Sequence, residues 1–127
     1  MQRLLLGLVT FAVAVSAAAC GGSNGAAPSS AASADPNAPR IVAADMKFGV
    51  APSVTAGAAF DLVFENRDGA PHNVAISMDQ GFSSVAFRGD IVTGPTSVTY
   101  RVPALAAGTY WFRCDVHPDM TGSLVAG

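Results

Sequence analysis

The chain is poor in several residue types, and each scarcity excludes a class of protein. Its 127 residues include only two Cys and two His, and seven basic residues stand against nine acidic ones. This small, slightly acidic charge balance argues against a nucleic-acid partner. No long window carries an apolar stripe of helical period, which argues against an α/β enzyme. The sequence also lacks an internal repeat.

Long apolar runs are scarce too, and the one at the N-terminus is short. Arg3 precedes an apolar run over residues 4–15, and small residues follow it up to Cys20. A run of about twelve residues cannot cross roughly 30 Å of hydrocarbon as a permanent helix. The pattern is typical of an export signal, so we predict that residues 1–19 are a signal peptide outside the fold.

Cys20 lies in the segment AAACGG, which resembles a bacterial lipobox, where the Cys becomes the lipidated first residue of the mature protein. Lipoboxes usually have Leu three residues before the Cys, whereas this chain has Ala17. We predict lipidation of Cys20, because a free thiol at an exported N-terminus is a reactive liability. Two alternatives are ordinary signal cleavage before Cys20 and a disulfide between Cys20 and Cys114, since an exported chain with two Cys invites pairing.

Residues 20–39 are predicted to form a disordered linker behind this Cys. After Cys20 they are almost all Gly, Ser, Ala, Asn and Pro, and Asp35 is the one charge. Such a segment buries too little to order itself, and about twenty flexible residues reach roughly 25 Å. The segment is either a flexible tether between a lipid anchor and the domain or a simple spacer. Residues 40–127 remain as one domain with a single small core.

In this domain the apolar residues recur with a period of two. Phe60, Leu62 and Phe64 alternate with Asp61 and Glu65, a pattern that predicts a half-buried antiparallel strand. Similar patterns occur at Val74, Ile76 and Met78 and at Val98, Tyr100 and Val102. Together with residues 41–48, 82–87, 108–113 and 122–126, they predict about seven short strands between Gly, Pro, Asp and Asn turns. This spacing is typical of an all-β sandwich.

The segment YWFRCDVHPDMTG contains the chemically most specific pattern of the chain. It places two residues between Cys114 and His117 and two between His117 and Met120, so a thiolate, an imidazole and a thioether can converge. Soft ligands of this kind favour copper, and a Cys, a His and a weak axial Met need a second His to complete a blue-copper site. The other His is His72, in a turn-rich loop about forty residues upstream. Pro118 keeps His117 out of the helical region, so the loop stays extended.

The segments ENRDGAPHNVAI and GTYWFRCDVHPDMTGSLVAG resemble the two copper loops of cupredoxins, the small blue-copper proteins that include plastocyanin and amicyanin. The resemblance covers residues 41–126 and implies an antiparallel Greek-key β-sandwich. It implies that His72, Cys114, His117 and Met120 bind one copper ion that cycles between Cu(I) and Cu(II). The Cys-x-x-His-x-x-Met spacing is the short form found in amicyanin. Asn73 matches a polar position that ties the two loops together and supports the Cys sulfur.

Other interpretations of the same residues fit less well. Structural zinc prefers Cys and His without a thioether, and a Cys–His nucleophile pair would also leave Met120 without a role. A dinuclear copper centre needs two Cys in the loop, and a multicopper oxidase needs many His. We expect the side chains of Met46 and Met78 to fill space in the hydrophobic core. Asp115 and Asp119 are expected to be solvated loop charges, which leaves open a contribution to partner docking.

These observations predict an exported one-electron carrier rather than an enzyme. We expect a monomer, lipid-anchored at the outer face of a membrane on the periplasmic or extracellular side. Its partners would be redox proteins of the cell envelope, with a cationic docking patch matched to a domain of net charge about −3. His72 would be the buried ligand and His117 the partly exposed one through which electrons pass. The alternatives are a copper module for storage, delivery or sensing, and a structural site in a protein-binding domain.

Overall fold

Eleven β-strands and no helix make up residues 35–127, the part of the chain that this computed structural model describes. The strands are β1 (Arg40–Ala44), β2 (Lys47–Phe48), β3 (Ser53–Val54), β4 (Phe60–Asn66), β5 (Pro71–His72), β6 (Ala75–Ser77), β7 (Val85–Arg88), β8 (Val92–Thr93), β9 (Thr96–Val102), β10 (Gly108–Arg113) and β11 (Thr121–Ala126). Among these residues no helix has the length and apolar character that a membrane span requires.

The strands form two facing sheets, which confirms the predicted all-β sandwich. One sheet has the order β2-β1-β4-β9, the other has the order β3-β11-β10-β6-β7, and β5 pairs with β8 alone. Four of the strands, β2, β3, β5 and β8, have only two residues each, and the other seven match the predicted number of strands.

The pairing is mixed rather than purely antiparallel. β1 runs parallel to β4, and β3 runs parallel to β11. No tight turn joins either pair, because β2 and β3 lie between β1 and β4, and seven strands lie between β3 and β11. Only strands joined by a short hairpin must be antiparallel, so these neighbours are free to run in the same direction.

Alternating side chains of both sheets meet in the core, as the period of two predicts. One sheet contributes Leu62 and Phe64 from β4 and Tyr100 from β9, and the other contributes Phe112 from β10 and Leu124 from β11. The rings of Phe64 and Tyr100 stack with centroids 5.8 Å apart. Each large apolar side chain buried here contributes roughly 1.5–3 kcal/mol to the free energy of folding. The core is therefore a rigid base for the loops above it.

Met46 and Met78 do not fill the core, so that expectation is wrong. Their exposed fractions are 45% and 59%. Met46 belongs to a tight turn with Asp45, in which both residues have positive φ, and this turn divides the strand predicted over residues 41–48. Met78 follows the last residue of β6, where its backbone N–H donates to the Ser84 carbonyl and the chain leaves the sheet.

The strands of the second sheet also depart from the pattern in two places. Ala75 and Ser77, which alternate with the apolar Val74 and Ile76, are fully buried, although a half-buried strand would expose them. The Ser77 hydroxyl donates to the Ser84 carbonyl, 2.9 Å away, so the following loop covers this face of β6. The strand predicted to start at Phe82 starts only at Val85, because Phe82 has a φ of 55° and belongs to a turn.

The last part of the predicted linker is included in the described residues. The Ala38 N–H donates to the Asp35 carbonyl, and the Val63 N–H donates to the Pro39 carbonyl, so residues 35–39 form a turn against β4. The signal peptide, Cys20 and the rest of the predicted linker lie outside the described residues.

Replacing Gly122 with Ala tests the packing between β10 and β11. Gly122 faces Phe112 across the β10–β11 pair, and a Cβ at Gly122 would overlap the ring of Phe112, which is fully buried and cannot move aside. We expect Gly122→Ala to lower the free energy of unfolding by about 1–3 kcal/mol in urea titrations. Gly69→Ala is the control, since no atom lies within 4 Å of its added Cβ, and its effect should stay within about 0.5 kcal/mol. Equal effects of the two variants would contradict this packing.

Candidate metal centre

Strand directions bring the two predicted ligand loops to the same end of the sandwich. β4 ends at Asn66 before the His72 loop, and β10 ends at Arg113 before the Cys114 loop, which returns into β11 at Thr121. Asn66 pairs with Thr96 at the start of β9, and Arg113 pairs with Thr121, so both loops leave their sheets at this end.

Asn66 shapes the loop that carries His72. Its side-chain amide donates to the carbonyls of Ala70 and Val92, at 2.8 and 3.0 Å, and its side-chain oxygen accepts from the Asp68 N–H. Asn66 is almost fully buried, so these bonds replace those it would make with water. They hold the loop in a tight turn and direct His72 into β5, which pairs with β8.

Two backbone hydrogen bonds close the Cys114 loop. The Cys114 N–H donates to the Met120 carbonyl at 3.0 Å, and the Met120 N–H donates to the His117 carbonyl at 2.9 Å. Pro118 lies inside both of these closures and has no backbone N–H to donate. The three predicted ligands of this loop therefore lie on one short, internally bonded segment.

The side chains of the two loops converge on one point. The Cys114 Sγ lies 3.7 Å from the His72 Nδ1 and 3.9 Å from the His117 Nδ1, and the two Nδ1 atoms are 3.0 Å apart. All three ligand atoms lie within 4.8 Å of one another. His72 and Cys114 are fully buried, Met120 is nearly so, and His117 is partly exposed. Cys114 forms no disulfide within residues 35–127.

This arrangement fits one copper ion. Atoms that each lie about 2.0–2.3 Å from a shared metal are about 3–4 Å from one another, as these three are. The donors are a thiol sulfur and two imidazole nitrogens, with the Met120 thioether on the same loop, and such a set favours copper over oxygen-seeking cations. The predicted cofactor is therefore confirmed by the chemistry and spacing of the site.

Asp68 fixes the orientation of His72. Its Oδ2 lies 3.0 Å from the His72 Nε2, and its carboxylate also accepts the N–H groups of Asp45 and Met46. The bond from the Met46 N–H, followed by those from Asp45 and His72, holds the pKa of Asp68 below its usual value. Because a charged carboxylate can only accept, the Nε2 carries the proton and the Nδ1 turns its lone pair toward the site.

Asn73 joins the two ligand loops. Its side-chain oxygen accepts the Asp115 N–H at 2.8 Å, and its amide donates to the Asp115 Oδ2 at 2.8 Å and to the Gly89 carbonyl at 3.0 Å. Asn73 follows His72 and Asp115 follows Cys114. The cross-link therefore ties together the residues that directly follow two of the converging side chains. The resemblance implies such a tie and also a support of the Cys114 sulfur, but among the described residues no hydrogen bond joins Asn73 to that sulfur.

Asp115 is not a solvated loop charge, so that expectation is wrong. Its Oδ2 lies 2.9 Å from the Arg88 Nε, and its Oδ1 lies 4.0 Å from the Arg113 Nε. The guanidinium of Arg113 also stacks on Phe82, 4.2 Å from the ring centroid. Asp119 differs, because it is exposed and forms no ion pair within residues 35–127.

Sequence reasoning missed two of these contributors, Asp68 and Arg88. Asp68 lies four residues before His72 in the same turn-rich loop, so its proximity to a ligand could have been anticipated. Arg88 is distant in the sequence from both loops, and only the sheet places it beside Asp115. No pattern in the sequence indicates that contact.

Comparisons with known proteins agree with this geometry. A family model described as a cupredoxin-like domain matches residues 4–126. Amicyanin from Paracoccus versutus is 28% identical, with a TM-score of 0.54, and the match covers 73% of this chain and 84% of amicyanin. Auracyanin A, a blue copper protein from Chloroflexus aurantiacus, is 20% identical, with a TM-score of 0.60, over 69% of this chain and 96% of auracyanin. No curated protein gives a significant match.

The auracyanin likeness, at this identity, concerns the fold alone. The family model is more extensive, because it spans nearly the whole chain and includes both ligand loops. Together with the converging His72, Cys114 and His117, this match shows that the chain belongs to the family of cupredoxin-like domain proteins.

Proposed function

We propose that this protein is a one-electron carrier that binds one copper ion through His72, Cys114, His117 and Met120. One observation supports this above the others: a thiol and two imidazoles from two loops lie within 4.8 Å of one another, and one imidazole reaches the surface. Copper, when bound, supplies the exchange of one electron between Cu(I) and Cu(II). A Cu(I) form of amicyanin is among the structural relatives, at 27% identity, and it supports the same chemistry.

Hydrogen bonds around the site fix the positions of the proposed ligands, and burial limits the access of water to them. Bonds from Asn66 and Asp68 fix the His72 loop, and Asn73 ties it to the Cys114 loop. A site whose ligands barely move exchanges electrons with little reorganisation, so these bonds serve a carrier better than an enzyme that must admit a substrate. His117 is the partly exposed member of the set, and we propose that electrons enter and leave along its ring.

Replacing Cys114 with Ser tests the ligand assignment. We expect Cys114→Ser to lose the intense visible band of the Cu(II)-loaded protein, because that band arises from charge transfer between thiolate and copper and a hydroxyl cannot supply it. Absorption spectra and bound copper are measured together, and circular dichroism checks that the β-sandwich remains. Cys20→Ser is the matched control and should stay blue.

A Cys114→Ser variant that stays blue would contradict the assignment of the Cys114 thiolate as a copper ligand. A wild-type protein that binds only Cu(I) and stays colourless would instead favour copper storage, delivery or sensing. The burial of His72, Cys114 and Met120 speaks for the carrier, since a delivery site must open its ligands to a recipient.

We also propose that the carrier works at the cell envelope, anchored through a lipid on Cys20. The support is the N-terminal sequence, in which a short apolar run and small residues precede Cys20, followed by a linker without large apolar residues up to the first strand. A single anchor of this kind leaves the folded domain free to move above the membrane.

Replacing Cys20 with Ser tests the anchor independently of the copper site. We expect Cys20→Ser to move the expressed protein from the membrane fraction to the soluble fraction, because the lipid is its only proposed attachment. Immunoblots of the two fractions measure the shift, and the visible spectrum should be unchanged. If wild type and variant divide equally between the fractions, the lipid anchor is wrong.

For the partner we propose a redox protein with a cationic patch that approaches His117. Asp119 is exposed two residues after His117 and lacks an ion pair in the described part of the chain. The paired Asp115 contributes less than the sequence suggested, because Arg88 offsets its charge. Rim charges such as Asp119 act mainly on the rate of encounter and lose effect beyond a Debye length of about 8 Å at physiological salt.

The charge of Asp119 is tested with a small cationic oxidant, the tris(1,10-phenanthroline)cobalt(III) ion. We expect Asp119→Asn to slow the oxidation of the Cu(I) protein about twofold at low ionic strength and to have little effect at high ionic strength. Asp61→Asn removes the same charge from the opposite end of β4, next to Arg101, and should leave the rate nearly unchanged. If stopped-flow traces of the two variants have the same salt dependence, electrons do not pass beside Asp119.

A further inference from the structure

We propose that Arg88 is a positioning residue of the metal centre, although it contacts none of the proposed ligands. It holds the Asp115 carboxylate against Asn73, and through that contact it holds the Cys114 loop against the His72 loop. The part of this inference that concerns copper rests on the proposed function. The part that concerns the loops rests on the protein alone.

Arg88 completes a closed ring of contacts. Its Nε lies 2.9 Å from the Asp115 Oδ2, the same oxygen that accepts the Asn73 amide at 2.8 Å. Asn73 donates in turn to the carbonyl of Gly89, the residue after Arg88. The ring therefore joins three separate segments: the His72 loop, the Cys114 loop and the end of β7.

The corner that carries Arg88 is itself fixed. The Gly89 N–H donates to the Val74 carbonyl at 2.9 Å. The ring of Tyr100 lies so close that a Cβ at residue 89 would come within 2.6 Å of it, and the Tyr100 hydroxyl donates to the Asp90 carbonyl. Because Tyr100 belongs to the core, the end of β7 cannot shift freely, and Arg88 presents its charge from a rigid base.

The burial of Asp115 explains why the ion pair matters. Its side chain is 22% exposed, so water alone solvates the carboxylate poorly, and Arg88 supplies the compensating charge. Without Arg88 the carboxylate gains by turning toward solvent, and this motion breaks its bond with the Asn73 amide. Arg113 does not replace Arg88, since its Nε is 4.0 Å away and forms no hydrogen bond among the described residues.

Another ion pair of the same sheet sandwich provides a matched comparison. Arg101 and Asp61 are 3.0 Å apart, with side chains 67% and 57% exposed, and they connect β9 and β4 away from the ligand loops. Ion pairs as exposed as this one contribute little to stability. A purely structural role of Arg88 would make its replacement resemble that of Arg101.

The experiment compares Arg88→Gln with Arg101→Gln in the metal-free protein. The readout is hydrogen exchange of the Asp115 backbone N–H, which donates to the Asn73 side chain, followed by NMR. We expect Arg88→Gln to speed this exchange about threefold, the size that a partly exposed ion pair supports, and Arg101→Gln to leave it unchanged. Arg88→Lys keeps the charge and should restore most of the protection.

Copper release provides the second readout. In the copper-loaded protein we expect Arg88→Gln to speed the transfer of copper to a chelator about threefold as well. In an Asp115→Asn background the Arg88→Gln change should have no further effect, because the pair is already broken.

Two outcomes separate this inference from the proposed function. If exchange of the Asp115 N–H is equally fast in Arg88→Gln and Arg101→Gln, the positioning role is overturned whatever the metal. If exchange responds as expected while the wild type binds no copper, the contact stands and the proposed function fails.

Discussion

The metal centre depends above all on the hydrogen bonds that Asn73 and Asp115 exchange between the two ligand loops. The bond from the Asn73 amide to the Asp115 carboxylate involves a charged group, and such bonds contribute roughly 1.5–3 kcal/mol to stability. Because Asn73 is bonded to His72 and Asp115 to Cys114 along the chain, this cross-link sets the separation of two of the converging donors. The other contacts at this end of the sandwich, from Asp68, Asn66 and Arg88, orient the side chains that the cross-link has brought together.

The loops are held firmly because residues next to them pack directly against the core of the sandwich. Phe112 lies two residues before Cys114 and packs against Phe48 of the other sheet, with ring centroids 5.2 Å apart. Tyr100 links the core to Gly89 by direct contact. A close-packed interior transmits strain rather than absorbing it, so a shift in either loop would disturb buried rings. This coupling supplies the rigidity that an electron carrier needs and leaves little freedom for the ligand opening that copper delivery requires.

Charge is divided between the interior and the rim of this end. The Asp68 carboxylate contacts His72 and the Asp115 carboxylate contacts Arg88, whereas Asp119 faces solvent beside His117. A count of acidic residues near the loops therefore overstates the charge that an approaching partner meets. The effective negative charge depends on which carboxylates already have a cation or a proton donor at hydrogen-bond distance, and only the folded chain decides this.

The sequence by itself determined the fold class and the ligand candidates. The period of two depends only on which side chains are apolar, and the spacing of Cys114, His117 and Met120 is a local property of one loop. It also indicated Asn73 as a link between the loops, because the resemblance to the cupredoxin copper loops places a polar residue directly after the first His. Tertiary structure alone decided the rest. Met46 and Met78 are exposed because turns interrupt their strands, Ser77 is buried because a later loop covers it, and Asp115 is paired because β7 brings Arg88 beside it. These outcomes depend on contacts between residues far apart in the chain, and no local pattern encodes such contacts.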